Sequence, residues 1–382
     1  MEVKMLCEAL TPEKEICFFG YHDKCPWDES GRYLLFHRVR MENRPPTADD
    51  RADICVLDLK FRKVELIGQT AAWNFQQGAM LQWLPNQRII YNDRVEGTFV
   101  SRIRDLFSGQ EKILSRPVSA VSPDGKKAVS LNFSRLAVWR PGYGYEGIPD
   151  PVWEENWPEK DGLWSLDIET GKEQLIVPLA KMLDYRKEEN IHQMTGRFNH
   201  TLFSPDGRRI IFLCRWKSNP GAGTPGFTRL FTVDPDGENL CDLLPTYHIS
   251  HFSWKNKKEI LVYAGLQGRC LFWVVEDKTG RYRPVSEKMQ KVDGHCSYNQ
   301  AETLILNDTY PIDGYRQLNI FDTRKEETII LGRYYSPPLT KGELRCDLHP
   351  RWSRDEKQIC FDSGHEGYRR VYVIRLEEKI FA

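Results

Sequence analysis

The chain has 382 residues with 54 Lys and Arg against 54 Asp and Glu, so its formal net charge is zero, which excludes a standing attraction to nucleic acid or an anionic membrane. A 40% hydrophobic content with 12% aromatics supports a packed core and excludes a disordered chain. The 10 cysteines contain no CxxC pair, Met1 to Glu8 has no apolar signal core, and the densest apolar run (Leu271–Val275) is too short for a membrane span, so a cytoplasmic protein with reduced thiols is expected.

Length alone suggests two or three domains, but internal repetition overrides that expectation. In chain order, residues 2–20 precede the first repeat, Trp27-Asp-Glu-Ser-Gly-Arg-Tyr-Leu-Leu-Phe-His-Arg38, which reads as strand, tight turn, strand. The pattern returns from Trp83 to Tyr91, from Val121 to Ser130 and from Phe203 to Arg215. It returns again from Phe252 to Tyr263, Tyr298 to Leu306 and Trp352 to Phe361. In copies such as Phe203-Ser-Pro-Asp-Gly207 the proline fixes φ and the glycine accepts a positive φ. Second hairpins follow most copies, for example residues 161–176 and 229–240, with alternating patterns around Thr-Gly or Asp-Gly turns. Seven repeats of four strands predict an all-β, seven-bladed β-propeller occupying residues 1–382 as one domain. The last repeat supplies three strands, ending near Val371–Leu376, so residues 2–20 are expected to complete its blade and close the ring.

In such a ring the short turns share one face, and the long loops 39–53, 133–162, 217–228 and 308–315 gather on the other, where function concentrates. Near the mouth on that face, His22 lies in Gly20-Tyr-His-Asp23, and Gln76 and Gln77 follow Trp73-Asn-Phe75, amides beside aromatics that suit a sugar. Arg140-Pro-Gly-Tyr-Gly-Tyr-Glu-Gly147 offers Tyr143 and Tyr145 for stacking or proton donation; its GxGxxG has no helix after it and is not a dinucleotide loop. Four histidines, His200, His251, His295 and His349, each stand three residues before the aromatic anchor of repeats four to seven, and are expected to converge on the channel mouth. His349 and Asp347 share a strand face, and with His295 from the neighbouring blade they suit a divalent metal; Cys346 points the other way, as a core thiol. Arg215, Arg229, Arg345 and Arg351 would bind an anionic substrate through carboxylate forks.

With these histidines in register, the chain resembles the oligogalacturonate lyase family, propeller enzymes that cleave uronate-containing oligosaccharides by β-elimination. The resemblance is strongest over residues 198–367 and rests on Phe198-Asn-His-Thr-Leu-Phe-Ser-Pro-Asp-Gly207, Thr228-Arg-Leu-Phe231, Ser250-His-Phe-Ser-Trp254, Gly294-His-Cys-Ser297 and Asp347-Leu-His-Pro-Arg351. It implies an acidic oligosaccharide substrate, His251 and Arg229 as catalytic groups, and His295 and His349 as ligands of a divalent metal, manganese in that family, with calcium and zinc as alternatives. The family's third histidine ligand falls on Asp347 and its glutamine ligand near Leu344, which cannot coordinate. Within this scheme His251 is the base, Arg229 the carboxylate clamp and His200 the partner acid or a positioning group, while His22, Gln76, Gln77, Arg140, Tyr143, Tyr145, Arg215 and Arg351 bind substrate. Two other functions fit the same residues: a glycan-binding or assembly propeller without catalysis, and a metal-dependent hydrolase. The second is disfavoured because Asp347 has no obvious carboxylate partner.

Overall fold

The computed structural model describes residues 6–185, 190–220, 226–337 and 342–381. Seven four-stranded antiparallel sheets stand in a ring, each beginning with an innermost strand that leads into one of the sequence repeats. Blade 4, for example, runs Thr195–Phe203, Ile210–Lys217, Phe227–Val233, Cys241–Asp242 from the channel outward. Neighbouring blades cover both faces of each sheet, so the second strands read as continuous apolar runs: Ile210, Ile211, Phe212, Leu213 and Cys214 are all buried. Blades 3 and 4 meet through Val129, Leu163, Ile176, Phe198, Ile210 and Phe212.

The tight turns are built alike. Ser204 Oγ donates to Asp206 Oδ1 at 2.7 Å and accepts the Arg209 N–H at 3.0 Å, while Gly207 takes φ +70°. The same Ser–Asp device holds the turns at Ser122 and Asp124 and at Ser353 and Asp355. In the last of these Glu356 takes the left-handed position that glycine holds elsewhere.

Ring closure divides the N-terminal segment. Cys7–Ala9 pairs with Arg370–Arg375 as the outer strand of blade 7, but Ile16–Phe18 is already the innermost strand of blade 1. Residues 2–5 of the expected closing segment, and 221–225 of the 217–228 loop, lie outside the described residues. A second seam joins the ring on its inner side. The Asp362 carboxylate accepts the N–H groups of Phe19 and Gly20 at 3.1 and 3.2 Å, and pairs with Arg351 at 2.9 Å. Arg351 in turn donates to the carbonyls of Gly20 and Tyr21. Gly20 has φ +131°, and a Cβ there would lie 2.8 Å from the Gln77 carbonyl oxygen. Gly20→Ala is therefore expected to cost about 1–3 kcal/mol of stability in urea unfolding, because the backbone at Gln77 and Gly78 must move to admit it.

The blade 3 crossover, expected as an irregular loop, contains the helix Phe133–Trp139. Asn132 caps it by accepting the Arg135 N–H, and Arg135 turns inward to Asp150 at 2.8 Å and to the carbonyl of Gly196 in blade 4. Among the described residues, no helix is long and apolar enough to cross a membrane.

Candidate functional site

The four registered histidines converge as their spacing predicts. Bulges lie at two of them: the pairing register shifts between Asn199 and Leu202 around His200 in blade 4, and between Ile249 and Phe252 around His251 in blade 5. His200 and His349 take φ of +52° and +44°, left-handed values that non-glycine residues rarely adopt and that the surrounding sheets must hold. Ring centroids of His251 and His295 are 4.1 Å apart, and those of His295 and His349 4.3 Å. Tyr21 fills the centre, stacked on His200 at 4.8 Å and edge-on to His349 at 4.9 Å. His22 lies 5.2 Å from His295. The Arg351–Asp362 seam therefore delivers Tyr21 and His22 into the histidine ring.

His295, Asp347 and His349 place one ligand atom each within 4.8 Å of one another, all buried. The Nε2 atoms of both histidines have no hydrogen-bond partner. His295 Nδ1 faces both oxygens of Asp308 at 3.0 and 3.1 Å, and the same carboxylate accepts the His349 N–H at 3.2 Å. Nδ1–H of His295 is thereby committed to Asp308, leaving Nε2 as a lone-pair donor, the carboxylate–histidine arrangement of metal sites. Asp347 contacts Arg345 at 2.6 Å and Arg316 at 2.7 Å. Burial alone would raise its pKa, but these two guanidinium groups outweigh burial and hold it ionised. Two free imidazole nitrogens and an ionised carboxylate fit a divalent cation.

Beside this trio, His251 Nδ1 lies 3.0 Å from Asp293 Oδ1. Burial depresses the His251 pKa, and Asp293 only partly restores it, so the ring is neutral at pH 7 with its proton on Nδ1 and a basic Nε2. His200 has the opposite arrangement: the Gln77 amide donates towards Nδ1 at 3.4 Å, which leaves the proton on Nε2. Its pKa is also depressed, by burial first and then by Arg215. Tyr143 stands edge-on to His200 at 5.3 Å, accepts from Arg345 at 2.6 Å and carries Arg140 over its ring at 4.7 Å.

Several expected site residues have other work. Arg229 lies on the third strand of its blade and turns to Asp242, at 2.6 Å, and to the Thr246 carbonyl, at 3.1 Å, not to the histidines. Tyr145 is taken into the core, stacked on Phe133 with its hydroxyl accepting from Asn92. Gln76 donates to the backbone carbonyls of Glu343 and Arg345, fixing the loop that carries Arg345. Arg351 is the buried seam residue described above. Cys346 is half-buried and stands outside the trio. Sequence reasoning missed Asp293, Asp308, Arg316 and Tyr21. The one available signal was the loop 308–315, which begins at Asp308.

Fold and site thus define a seven-bladed propeller with a buried histidine–carboxylate centre at its loop-bearing mouth. No protein-family model matches the sequence, and no curated protein matches it. Among solved structures, the fold is similar to an oligogalacturonate lyase in complex with manganese, with TM-score 0.69 and 17% identity over 99% of this chain and 95% of that one. An oligogalacturonate lyase from Vibrio parahaemolyticus gives TM-score 0.66 and 16% identity over 99% and 98%. The propeller domain of the Trilobed protease from Pyrococcus furiosus gives 0.54 and 11% over 95% and 96%. At these identities the likeness establishes the propeller fold.

Proposed function

We propose that this protein is a metal-assisted lyase that cleaves uronate-containing oligosaccharides by β-elimination. The observation that carries the proposal is the meeting of the His295–Asp347–His349 trio with two neutral histidines, His251 and His200, in opposite tautomers. The end-to-end likeness to an oligogalacturonate lyase that holds manganese supports it. A divalent cation at the trio, manganese by that likeness, supplies positive charge that neutralises the uronate carboxylate and stabilises enolate-like charge. His251 Nε2 takes the C5 proton, with Asp293 stabilising the imidazolium that forms. As the C4–O bond breaks and the C4=C5 bond forms, His200 Nε2–H gives its proton to the departing oxygen. Arg215, not Arg229, is the arginine whose charge acts on His200, since Arg229 is turned to Asp242.

Incubation with galacturonate oligomers and added manganese, calcium or zinc is expected to generate the ultraviolet absorbance of an unsaturated uronate. Saturated products would overturn elimination in favour of hydrolysis. In the same preparation, a His295→Ala/His349→Ala variant is expected to fall from about one bound metal per chain to background by elemental analysis. Metal retained in that variant would place the ion elsewhere.

A further inference from the structure

Buried arginines in this protein have acidic partners: Arg135 has Asp150, Arg209 has Asp277 and Asp234, Arg316 has Asp347, and Arg351 has Asp362. Blade 4 breaks the pattern. Arg197 and Arg215 stand directly opposite each other on its first two strands. Arg140, at the end of the blade 3 helix, adds a third guanidinium to their field. Arg197 is only 6% exposed, yet its Nε and Nη1 have no hydrogen-bond partner, and the Nε atoms of Arg215 and Arg140 are equally unsatisfied. Among the described residues, no carboxylate pairs with any of the three. Burial first, then the charges of Arg215 and Arg140, push Arg197 down to about 9, and burial with Arg140 pushes Arg215 down to about 10. Like charges directly opposed on adjacent strands oppose folding, and desolvation adds to the cost. Such an arrangement persists where an external anion completes it.

The position indicates which anion. Arg215 and Arg140 act electrostatically on His200, and Tyr143 links Arg140 to Arg345 and so to Asp347. Tyr143 therefore joins the guanidinium cluster to the metal-binding trio, with Arg140 over its ring and Arg345 at its hydroxyl. We propose that Arg140, Arg197 and Arg215 form a second oxyanion subsite, which takes the carboxylate or sulfate of the sugar adjoining the one at the histidine–aspartate trio. This inference rests on the lyase reading and narrows it: the substrate carries negative charge on consecutive sugars, and a uronate next to a neutral sugar is a poor fit.

Thermal unfolding of the full chain in EDTA, at fixed ionic strength, tests the pocket apart from catalysis. Galacturonate and glucose 6-sulfate are expected to raise the melting temperature, and glucose is not. The stronger of the two responses identifies carboxylate or sulfate as the preferred group. Arg197→Met is expected to melt above the wild type without ligand, because an unpaired buried charge has gone, and to bind the anion roughly 10- to 100-fold more weakly. Arg215→Gln, at a more exposed position, is expected to show the same loss and guards against a folding defect in the first variant. No anion-dependent shift in the wild type, or equal shifts in wild type and both variants, would overturn the subsite. Elimination by Arg197→Met with unchanged KM for digalacturonate would also overturn it while leaving the lyase reading intact. A metal-free anion shift in a protein that never produces unsaturated uronate would keep the subsite and remove the lyase.

Discussion

His251→Ala is expected to lower the elimination rate by roughly 10²- to 10⁴-fold, the usual contribution of a positioned general base, while leaving bound metal unchanged. The second half of that expectation follows from geometry: His251 is not one of the three residues whose ligand atoms cluster, and its own carboxylate, Asp293, is not the one that holds His295. Asp293→Asn gives the sharper test. An asparagine amide can donate to Nδ1 where the carboxylate accepts, which would shift the imidazole proton to Nε2 and block the basic nitrogen. The loss is expected in kcat more than in KM, since Asp293 acts through His251 as a positioning residue. The pH profile separates this from a merely structural defect. His251 must be neutral to accept a proton, and Asp293 raises its pKa. Loss of that charge lowers the pKa, so the acid limb of residual activity should move to lower pH. A glycan-binding propeller predicts instead that oligosaccharide binding survives His251→Ala and that neither preparation produces unsaturated sugar.

The ring was legible because its information is local and repeated. Turns such as those at Ser122, Ser204 and Ser353 carry their own serine and aspartate, and repeats four to seven share a fixed offset from histidine to aromatic anchor. The convergence of His200, His251, His295 and His349 needed only that offset and the closure of the ring. What the sequence could not display were partners supplied across blades. Asp308 ends the second strand of blade 6, where it holds His295 of that blade, and it also reaches the backbone of His349 leading into blade 7. Asp362 belongs to blade 7 and grips the backbone at Phe19 and Gly20, 342 or more positions away in sequence. The arginines were misjudged for the same reason. Arg229 and Arg351 lie near strand ends and read as mouth charges, but Asp242 and Asp362 neutralise them within their own sheets. Arg197, which has no such partner, carried no signal beyond its residue type. The helix Phe133–Trp139 did leave a trace, Asn132 ahead of an apolar stripe at Phe133, Leu136 and Trp139, and a capping argument would have found it.

The buried histidines also predict an unusually steep acid instability. His22, His37, His200, His251 and His349 all have pKa values depressed, with burial the first cause in each. His37 shows the origin plainly. It is fully buried in blade 1, donates from Nδ1 to the Phe19 carbonyl at 2.9 Å and accepts the Ala79 N–H at Nε2 at 3.0 Å, so neither nitrogen has room for a second proton. Its pKa is lowered to about 4, against about 6.5 in an unfolded chain. Between those values the unfolded state binds a proton that the folded state refuses, so stability is intact above about pH 6.5 and falls as the pH drops towards 4. His37 alone accounts for a loss of about 3 kcal/mol over that window. The four mouth histidines act in the same direction, and each further proton taken up on unfolding adds about 1.4 kcal/mol per pH unit to the slope. Urea unfolding at a series of pH values between 7 and 5 is therefore expected to show a slope of several protons, and potentiometric titration of unfolding should count the same number. A stability that stays flat over that range, or a slope of one proton or less, would mean that these imidazoles are already charged in the folded protein. That result would also remove the neutral base and the neutral acid on which the elimination chemistry depends.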